Sequence, residues 1–298
     1  MTTSKKQAPD TAPVKKQRSQ WAEVWHRLKK NKGAMVGLTI VVILIFIALF
    51  SGVFLDYETD VIGVNTAERL QPPSAQHIMG TDEYGRDIFC RILYGTKYSL
   101  SVGVVAVIIA LLIGVTLGAV AGYAGGPTEE VIMRVTDIFS SVPNMLMALV
   151  VVAALGQSMF NLMLAIGITS VPQFVRITRA AVLTVKTQEY VEAARAIGLR
   201  SYRIIFSHIL PNCLSPIIVQ TTLRVASAII SASSLSFLGL GIPAPNPEWG
   251  AMLSAGRRFI RDYSYMTLFP GLAIMITVLS LNLVGDGLRD ALDPRLKD

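Results

Sequence analysis

The chain has 298 residues, of which 52% are hydrophobic and 16% are charged, and its mean hydropathy is +0.52. This balance excludes an ordinary soluble domain and predicts an all-α, polytopic membrane protein. The formal net charge of +7 does not indicate nucleic-acid binding, because the basic residues lie mainly between apolar stretches, where membrane lipid supplies anionic headgroups.

Six membrane-spanning helices are predicted, since each needs about 20 mostly apolar residues. The apolar stretches that carry them are Met35 to Leu55, Tyr98 to Pro127, Ile138 to Val175, Ile217 to Gly239 and Tyr263 to Gly285. The third stretch is long enough for two spans, and Gly156 to Ser158 is predicted to form the tight turn between them. Pro143 and Pro172 are predicted to interrupt these two spans, as bending points or as static kinks.

The distribution of basic residues predicts the orientation of the chain. If the N-terminus lies inside, the inner segments hold 19 of the 27 lysines and arginines, and the outer loops hold seven. Short cytoplasmic loops carry such an excess, so both termini are predicted to be cytoplasmic. Residues 1–20, rich in Lys, Gln, Pro and Ser, are predicted to be disordered.

This topology divides the chain into four regions. They are a cytoplasmic tail with a basic amphipathic segment (1–34), the first span with an extracytoplasmic loop (35–97), a transmembrane core (98–287) that includes a cytoplasmic loop (176–215), and a cytoplasmic C-terminal tail (288–298).

Small residues recur every four positions along the second predicted span. They are Ala106, Ala110, Gly114, Gly118 and Gly122. A smooth ridge of this kind lets helix backbones approach closely in lipid. The ridge is predicted to pack against another helix of the same bundle, and a pairing surface for a second membrane subunit is the alternative.

Arg224 is a charged residue inside a predicted span, about seven residues from its start, or roughly 10 Å deep at 1.5 Å per residue. Two roles stay open. The side chain either extends to the inner surface or pairs within the bundle, or it lines a substrate path. Ionisable residues are otherwise nearly absent from the interiors of the spans, which argues against a proton- or sodium-driven secondary carrier.

The segment between the fourth and fifth spans is predicted to form two short helices in water at one membrane face. The apolar face of the first helix holds Tyr190, Val191, Ala194 and Ile197, and its polar face holds Glu189, Glu192 and Arg195. Gly198 is predicted to end this helix. Ser201 is predicted to cap the second helix, which must end near Pro211 because proline cannot continue a helical ladder. From spacing alone, the first helix either enters a partner's groove or lies on the headgroups.

The same segment resembles the cytoplasmic loop of bacterial ATP-binding-cassette (ABC) importer permeases. The matching positions are Glu192, Ala193, Ala194, Gly198, Leu210 and Pro211. His208 departs from the general pattern, which favours isoleucine there, although the peptide-type branch often has histidine. The resemblance implies that the first short helix docks into a cleft of an ATPase subunit and transmits its closure to the membrane helices.

Three further stretches resemble the second permease subunit of dipeptide, oligopeptide and nickel importers. They are His77 to Asp87, Leu235 to Gly241 with Pro247 to Gly250, and Gly285 to Pro294. The resemblance implies a type I ABC importer permease fold in a bacterial plasma membrane, with a homologous permease, two ABC ATPase subunits and an extracytoplasmic substrate-binding protein as partners. ATP and Mg would bind to the ATPases, and this chain would bind no cofactor. The implied cargo is dipeptides or oligopeptides, with glutathione-like peptides and nickel complexes left open.

The outer loop is predicted to form a compact turn held by local charge pairs. The residues that predict it are Gly80, Asp82, Gly85, Arg86 and Asp87. Ile88, Phe89, Ile92 and Leu93 are then predicted to form an amphipathic helix on the outer membrane face. This loop either braces the mouth of the bundle or docks a soluble binding protein.

The sequence contains no Gly-x-x-x-x-Gly-Lys-Ser/Thr phosphate loop, so ATP binding by this chain is not predicted. Its three histidines, His26, His77 and His208, fall in separate regions and predict no metal site. No nucleophile with a neighbouring base is evident, so the chain is not predicted to be an enzyme. The alternative from another class is a stand-alone channel or secondary carrier, which would work without a partner ATPase.

Overall fold

The computed structural model describes residues 20–292. The predicted disordered segment lies outside the described residues except for Gln20, and residues 293–298 of the predicted C-terminal tail also lie outside them. The α-helices of the described part are, in chain order, α1 (Gln20–Lys30), α2 (Lys32–Phe54), α3 (Ile88–Ala124), α4 (Gly126–Ser141), α5 (Asn144–Leu155), α6 (Met159–Val185), α7 (Glu189–Ala196), α8 (Ser201–Ile204), α9 (Leu214–Phe237), α10 (Trp249–Gly256) and α11 (Tyr265–Leu292). The predicted all-α class is confirmed, since residues 20–292 form no β-strand.

Five of these helices are long and apolar enough to cross a membrane: α2, α3, α6, α11, and α9 together with the helical turns that lead into it. The helices α4 and α5 meet at an angle of 87°, and they supply a sixth crossing if this bent pair counts as one span. The predicted interruption at Pro143 is confirmed, because α4 ends at Ser141 and α5 begins at Asn144. The break follows from Pro143, because proline disfavours helical geometry at the residue before it, and Val142 is extended.

The turn predicted between the third and fourth spans is confirmed. Leu155 ends α5, Gly156 has a positive φ of 86°, and the Ser158 side chain caps α6 by accepting the Asn161 N–H at 3.0 Å. At Pro172 the helix α6 continues without a break from Met159 to Val185, with this proline inside it.

The prediction of a separate surface helix after the outer loop is wrong. Ile88 begins the 37-residue α3, and this helix continues into the span without a break. Asp87 caps this helix by accepting the Cys90 N–H at 3.0 Å. Ile88 and Ile92 are buried in a cluster with Trp249 of α10. Burial on one side and continuity with the span thus make this stretch part of the bundle.

The ridge of small residues on α3 packs against α6 within this chain, so the predicted intramolecular role is confirmed and the alternative of a subunit-pairing surface is wrong. Gly114 lies against Phe174, and Gly122 lies against Val182. A Cβ atom at Gly118 would lie 2.6 Å from the Val175 carbonyl oxygen, which leaves no space for a side chain. The two helices therefore run side by side at close range, in parallel.

The last helix packs against α2 and α9 and brings the two ends of the described chain together. Gly37 of α2 faces the Ser280 carbonyl, where a Cβ atom would lie 2.6 Å from the oxygen. Ala291 packs with Leu28 and Ala34 in a small apolar cluster. Because α11 continues to Leu292, the predicted boundary between core and C-terminal tail at 287/288 falls inside a helix.

Candidate functional site

The segment of residues 189–213, called the α7–α8 segment below, rests on the bundle through a narrow apolar stripe. Val191 and Ala194 of α7 are buried in a cluster with Ile209 and with residues of α3 and α6, Ala119 and Val182. The opposite face of α7, with Glu192 and Ala193, is exposed. One side of this short helix is thus anchored, and the other is open.

The four residues of the predicted apolar face of α7 differ in burial. Val191 and Ala194 are buried against the bundle, whereas the exposed fractions of Tyr190 and Ile197 are 42% and 76%. A helix of eight residues makes only about two turns, so its buried contact with the bundle is limited to Val191 and Ala194. Half of the apolar face thus stays open.

The turn after α7 follows the prediction for Gly198. This residue has a φ of 78°, and its N–H donates to the Arg195 carbonyl at 2.9 Å. The Leu199 N–H donates to the Ala194 carbonyl at 3.2 Å, which completes a helix C-terminus of the kind that glycine favours. No atom lies within 4 Å of a Cβ atom placed at Gly198, so the requirement for glycine here is conformational and not steric.

The second short helix differs from the prediction at both ends. Arg200 holds the cap position, without a side-chain cap, and Ser201 is already helical. The helical path does not end near Pro211, because α8 continues through a π-helix (Ile205–Ile209) and a 3-10 helix (Leu210–Cys213) into α9. The missing N–H of Pro211 is tolerated in the first turn of the new 3-10 helix, and the wider π turn absorbs the mismatch.

The remaining predicted positions of this segment are only partly brought together. Leu210 packs against the same cluster as Ala194, whereas Pro211 is exposed. His208 is half-buried, and its Nδ1 atom is buried without a hydrogen-bond partner in the described part of the chain. The family-like positions therefore form one anchored side and one exposed side, and not a single patch.

Two polar contacts that tie this end of the bundle together were not predicted. Arg195 lies over the Tyr123 ring, 4.9 Å from its centroid, and joins α7 to the end of α3. Lys186 donates from Nζ to the Gly122 carbonyl at 2.9 Å. The signal in the sequence for both contacts is weak: each side chain is long and cationic, and each lies near a helix C-terminus.

The loop that joins α2 to α3 (residues 55–87), called the outer loop below, is held by a buried carboxylate. Asp82 is 7% exposed and accepts Arg86 Nε at 2.7 Å, while Arg91 Nε lies 3.6 Å away. The same carboxylate accepts the backbone N–H of Tyr84 at 2.8 Å. The predicted turn with local charge pairs is confirmed.

Asp87 and two glycines complete this turn. His77 Nδ1 lies 2.8 Å from an Asp87 oxygen. Gly80 and Gly85 both have a φ of 77°, and a Cβ atom at Gly80 would lie 2.6 Å from the Gln71 carbonyl oxygen. All five predicted outer-loop residues thus belong to one compact unit.

Arg91 is the residue of this unit that sequence reasoning missed. It is 4% exposed, and its Nη1 donates to the Val61 carbonyl at 2.7 Å, so it fastens the outer loop to α3. Its position one turn after Asp87, the residue that caps α3, is the signal that marks it.

The short helix α10 is fastened to the same end by a buried cap. Glu248 accepts the N–H groups of Gly250 and Ala251 at 2.9 and 2.8 Å. The Trp249 indole N–H donates to the Ile92 carbonyl of α3 at 3.0 Å. Burial of the Glu248 carboxyl raises its pKa, although the two backbone N–H groups act in the opposite direction.

Arg224 lies apart from both loop regions, in the middle of the 24-residue α9. It follows Leu214 by ten residues, which places it about 15 Å from the start of α9 at 1.5 Å per residue. The distance along α9 does not choose between the two predicted roles, in which the side chain extends or pairs, or lines a substrate path.

Residues 114–298 match the family described as binding-protein-dependent transport system inner membrane component, and residues 19–73 match the N-terminal transmembrane domain of oligopeptide transport permease C. A dipeptide transport system permease protein from Alkalihalophilus pseudofirmus is 50% identical over 94% of this chain and 91% of its own length. A glutathione transport system permease protein from Pectobacterium atrosepticum is 43% identical over 96% of each chain. The MetNI methionine ABC transporter, solved in inward-facing conformations, shares the fold, with a TM-score of 0.57 and 17% identity over 68% of this chain and 96% of that chain.

Proposed function

The chain belongs to the family of binding-protein-dependent transport system inner membrane components, and from this premise we propose that it forms a translocation path for dipeptides or oligopeptides together with a second, homologous permease. It is a multi-pass membrane subunit of an ABC importer and not an enzyme, as the sequence predicted. Membership of this family also excludes the stand-alone channel or secondary carrier.

The proposal of peptide cargo is supported by the 50% identity with a dipeptide transport permease, which extends over almost the whole chain. A glutathione-like peptide is the second candidate, because the glutathione transport permease is 43% identical over a similar length. Both candidates are small peptides with free carboxylates, so they make similar chemical demands on a path through the membrane.

An ABC importer requires ATPase and substrate-binding partners. We assign this chain two ATPase subunits, which hold ATP and Mg, and one extracytoplasmic binding protein, which delivers the cargo. Both termini and the α7–α8 segment would then lie in the cytoplasm of a bacterial cell, and the outer loop would face the binding protein. The packing of Leu28 against Ala291 supports this arrangement, since it places both ends of the described chain at the same end of the bundle.

The observation that supports ATPase docking is the exposed apolar surface of the α7–α8 segment. Tyr190, Ile197, Tyr202 and Phe206 have exposed fractions of 42, 76, 52 and 59%. Large apolar side chains gathered at a polar end of a membrane protein indicate a surface that a partner covers. The first short helix is thin where Ala193 and Ala196 lie, which suits insertion into a groove.

The anchored side of α7 suggests how ATPase closure reaches the membrane. Val191 and Ala194 contact a cluster that also contains residues of α3, α6 and the turn before α9. A push on the exposed side of α7 is therefore applied to the ends of three helices at once. Alternating access follows if this movement rocks the two permeases between inward- and outward-open states.

The direct test is to purify the tagged chain in mild detergent from its native membrane and to identify the chains that co-purify. A second permease and two ATPase chains are expected, and the complex in proteoliposomes should take up labelled dialanine only with ATP and the binding protein. Uptake of glutathione by the same preparation is the matched comparison. Recovery of a homo-oligomer without a nucleotide-binding chain would contradict the assembly, and uptake of glutathione without dialanine would replace the first cargo by the second.

A further inference from the structure

Arg224 carries a positive charge at a depth in α9 where such a charge is costly. The guanidinium keeps its proton under all physiological conditions, and a charge far from water needs a partner or a water-filled path. Arg224 lies ten residues after the start of α9, and its side chain is half-buried against the bundle.

The described residues supply no counter-charge for Arg224. The ion pairs within residues 20–292 involve His77 or other arginines, such as Arg176 with Asp137 at 2.9 Å and Arg86 with Asp82 at 2.7 Å. Arg224 also makes no hydrogen bond to another described residue, and it is half-buried. Its fork of N–H donors is therefore available to a group that enters from outside this chain.

The cavity beside Arg224 contains no negatively charged side chain. It has a volume of about 30 Å³, lies between α5, α6 and α9, and is lined by Arg224, by the polar residues Asn144, Thr169, Ser170, Ser227 and Ser231, and by the apolar residues Met145, Ala148, Ile166, Ala228 and Leu235. No aspartate or glutamate lines it. The cavity admits a water or a group of a few atoms, and not a whole peptide.

The hydroxyl groups in this cavity are already engaged as donors. Ser170 donates to the Ile166 carbonyl at 2.8 Å, and Ser227 donates to the Leu223 carbonyl at 3.1 Å. These hydroxyl groups are neutral, so they do not neutralise the charge of Arg224. The start of α5 forms a further side of the cavity. The N-terminal end of this helix is partly positive, so it adds no negative charge that could compensate Arg224.

We propose that Arg224 and the polar wall around it bind the carboxylate of a peptide in passage through the membrane. This inference rests on the proposed peptide cargo. A guanidinium binds a carboxylate through two parallel hydrogen bonds, and every unmodified peptide carries one such group at its C-terminus whatever its side chains are. A site of this kind accepts many peptides. Because the Arg224 side chain is half-buried and not enclosed, the bound carboxylate can leave.

The experiment compares a peptide that has the carboxylate with one that lacks it. The complete importer, with its partner permease, ATPases and binding protein, is reconstituted in proteoliposomes, and initial uptake of labelled trialanine and of trialanine amide is measured. The variants are Arg224→Gln, which removes the charge, and Arg224→Lys, which keeps it without the fork. Arg176→Gln is the matched control, since it removes another arginine of the bundle that is already paired with Asp137.

Arg224→Gln is expected to reduce the preference for trialanine over its amide by about tenfold, because one charge-assisted contact is lost. Arg224→Lys should retain part of the preference, and Arg176→Gln all of it. An equal decline of both peptides in Arg224→Gln, or no change, would overturn the site. Loss of the second permease on purification of Arg224→Gln would also overturn it, because the arginine would then pair with a carboxylate of that subunit. If the unaltered importer moves neither peptide, the proposed cargo itself is wrong and this site falls with it.

Discussion

The outer loop and the α7–α8 segment lie at opposite ends of the bundle and are held in opposite ways. Buried polar contacts fix the outer loop, with Asp82 between two arginines and Asp87 beside His77. The α7–α8 segment rests mainly on apolar contacts of Val191 and Ala194. Hydrogen bonds and ion pairs require one geometry, whereas apolar contacts tolerate small shifts. From this difference we expect the outer loop to be the more rigid end and the α7–α8 segment to be the end that can shift.

Replacement of Asp82 should have the largest effect on stability. Asp82→Ala leaves Arg86 and Arg91 buried without their shared carboxylate, and loss of one partner of a buried ion pair costs about 3 kcal/mol or more. Thermal unfolding of the purified complex measures this. The matched control is Glu130→Ala, whose ion pair with Arg134 is exposed on both sides and contributes at most about 1 kcal/mol. Equal melting temperatures for the two variants would show that the outer loop is not the rigid end.

Loss of the apolar anchor of α7 should have a smaller effect on stability and a larger one on coupling. Val191→Ala removes two buried methyl groups and costs about 1 to 2 kcal/mol, which loosens α7 locally. The number of ATP molecules hydrolysed for each transported peptide should rise, because movement of α7 is then transmitted less completely to α3, α6 and α9. The same truncation at an exposed apolar position, Val131→Ala on α4, is the control. An unchanged ratio in Val191→Ala would contradict transmission through this anchor.

The rigid end should also respond to pH through Glu248. Burial raises the pKa of this carboxyl, so its contribution to stability is complete below the pKa of the unfolded chain and is lost as pH rises through the higher pKa of the folded state. Asp56 has the opposite sign, since the backbone N–H groups of Thr59 and Glu58 lower its pKa. Melting temperatures from pH 4 upward should therefore fall less steeply in Glu248→Gln than in the unaltered protein. Parallel curves would refute this assignment.

Charge reversal on the exposed side of α7 should have the smallest effect on stability. Glu192→Lys changes an exposed residue, so the free energy of unfolding should move by less than about 0.5 kcal/mol. ATPase association should nevertheless weaken, and hydrolysis should become uncoupled from transport, because a reversed charge alters an interface more than a fold. Glu130→Lys, exposed on α4 in the stretch that follows the same end of α3, is the matched control. Normal ATPase association and transport in Glu192→Lys would remove α7 from the coupling role.

The parts of both regions that sequence predicted are those decided by close neighbours in the chain. Gly198 ends α7, and Asp82 pairs with Arg86 four residues away. The parts that sequence missed join distant residues, such as Arg91 with the Val61 carbonyl and Arg195 with Tyr123. No local pattern specifies which of two distant surfaces will meet.

Composition and periodicity by themselves determined that the protein is an α-helical membrane bundle with a ridge of small residues on α3. They suffice because a bilayer requires about 20 apolar residues per helix and leaves every backbone group to be satisfied within the helix. Only the tertiary structure decided that α3 begins at Ile88, that the helical path continues past Pro211, and that Arg224 in α9 has no counter-charge within residues 20–292. These features depend on which helices pack together and on where packing allows a helix to begin. A short stretch of sequence does not specify such contacts between distant residues.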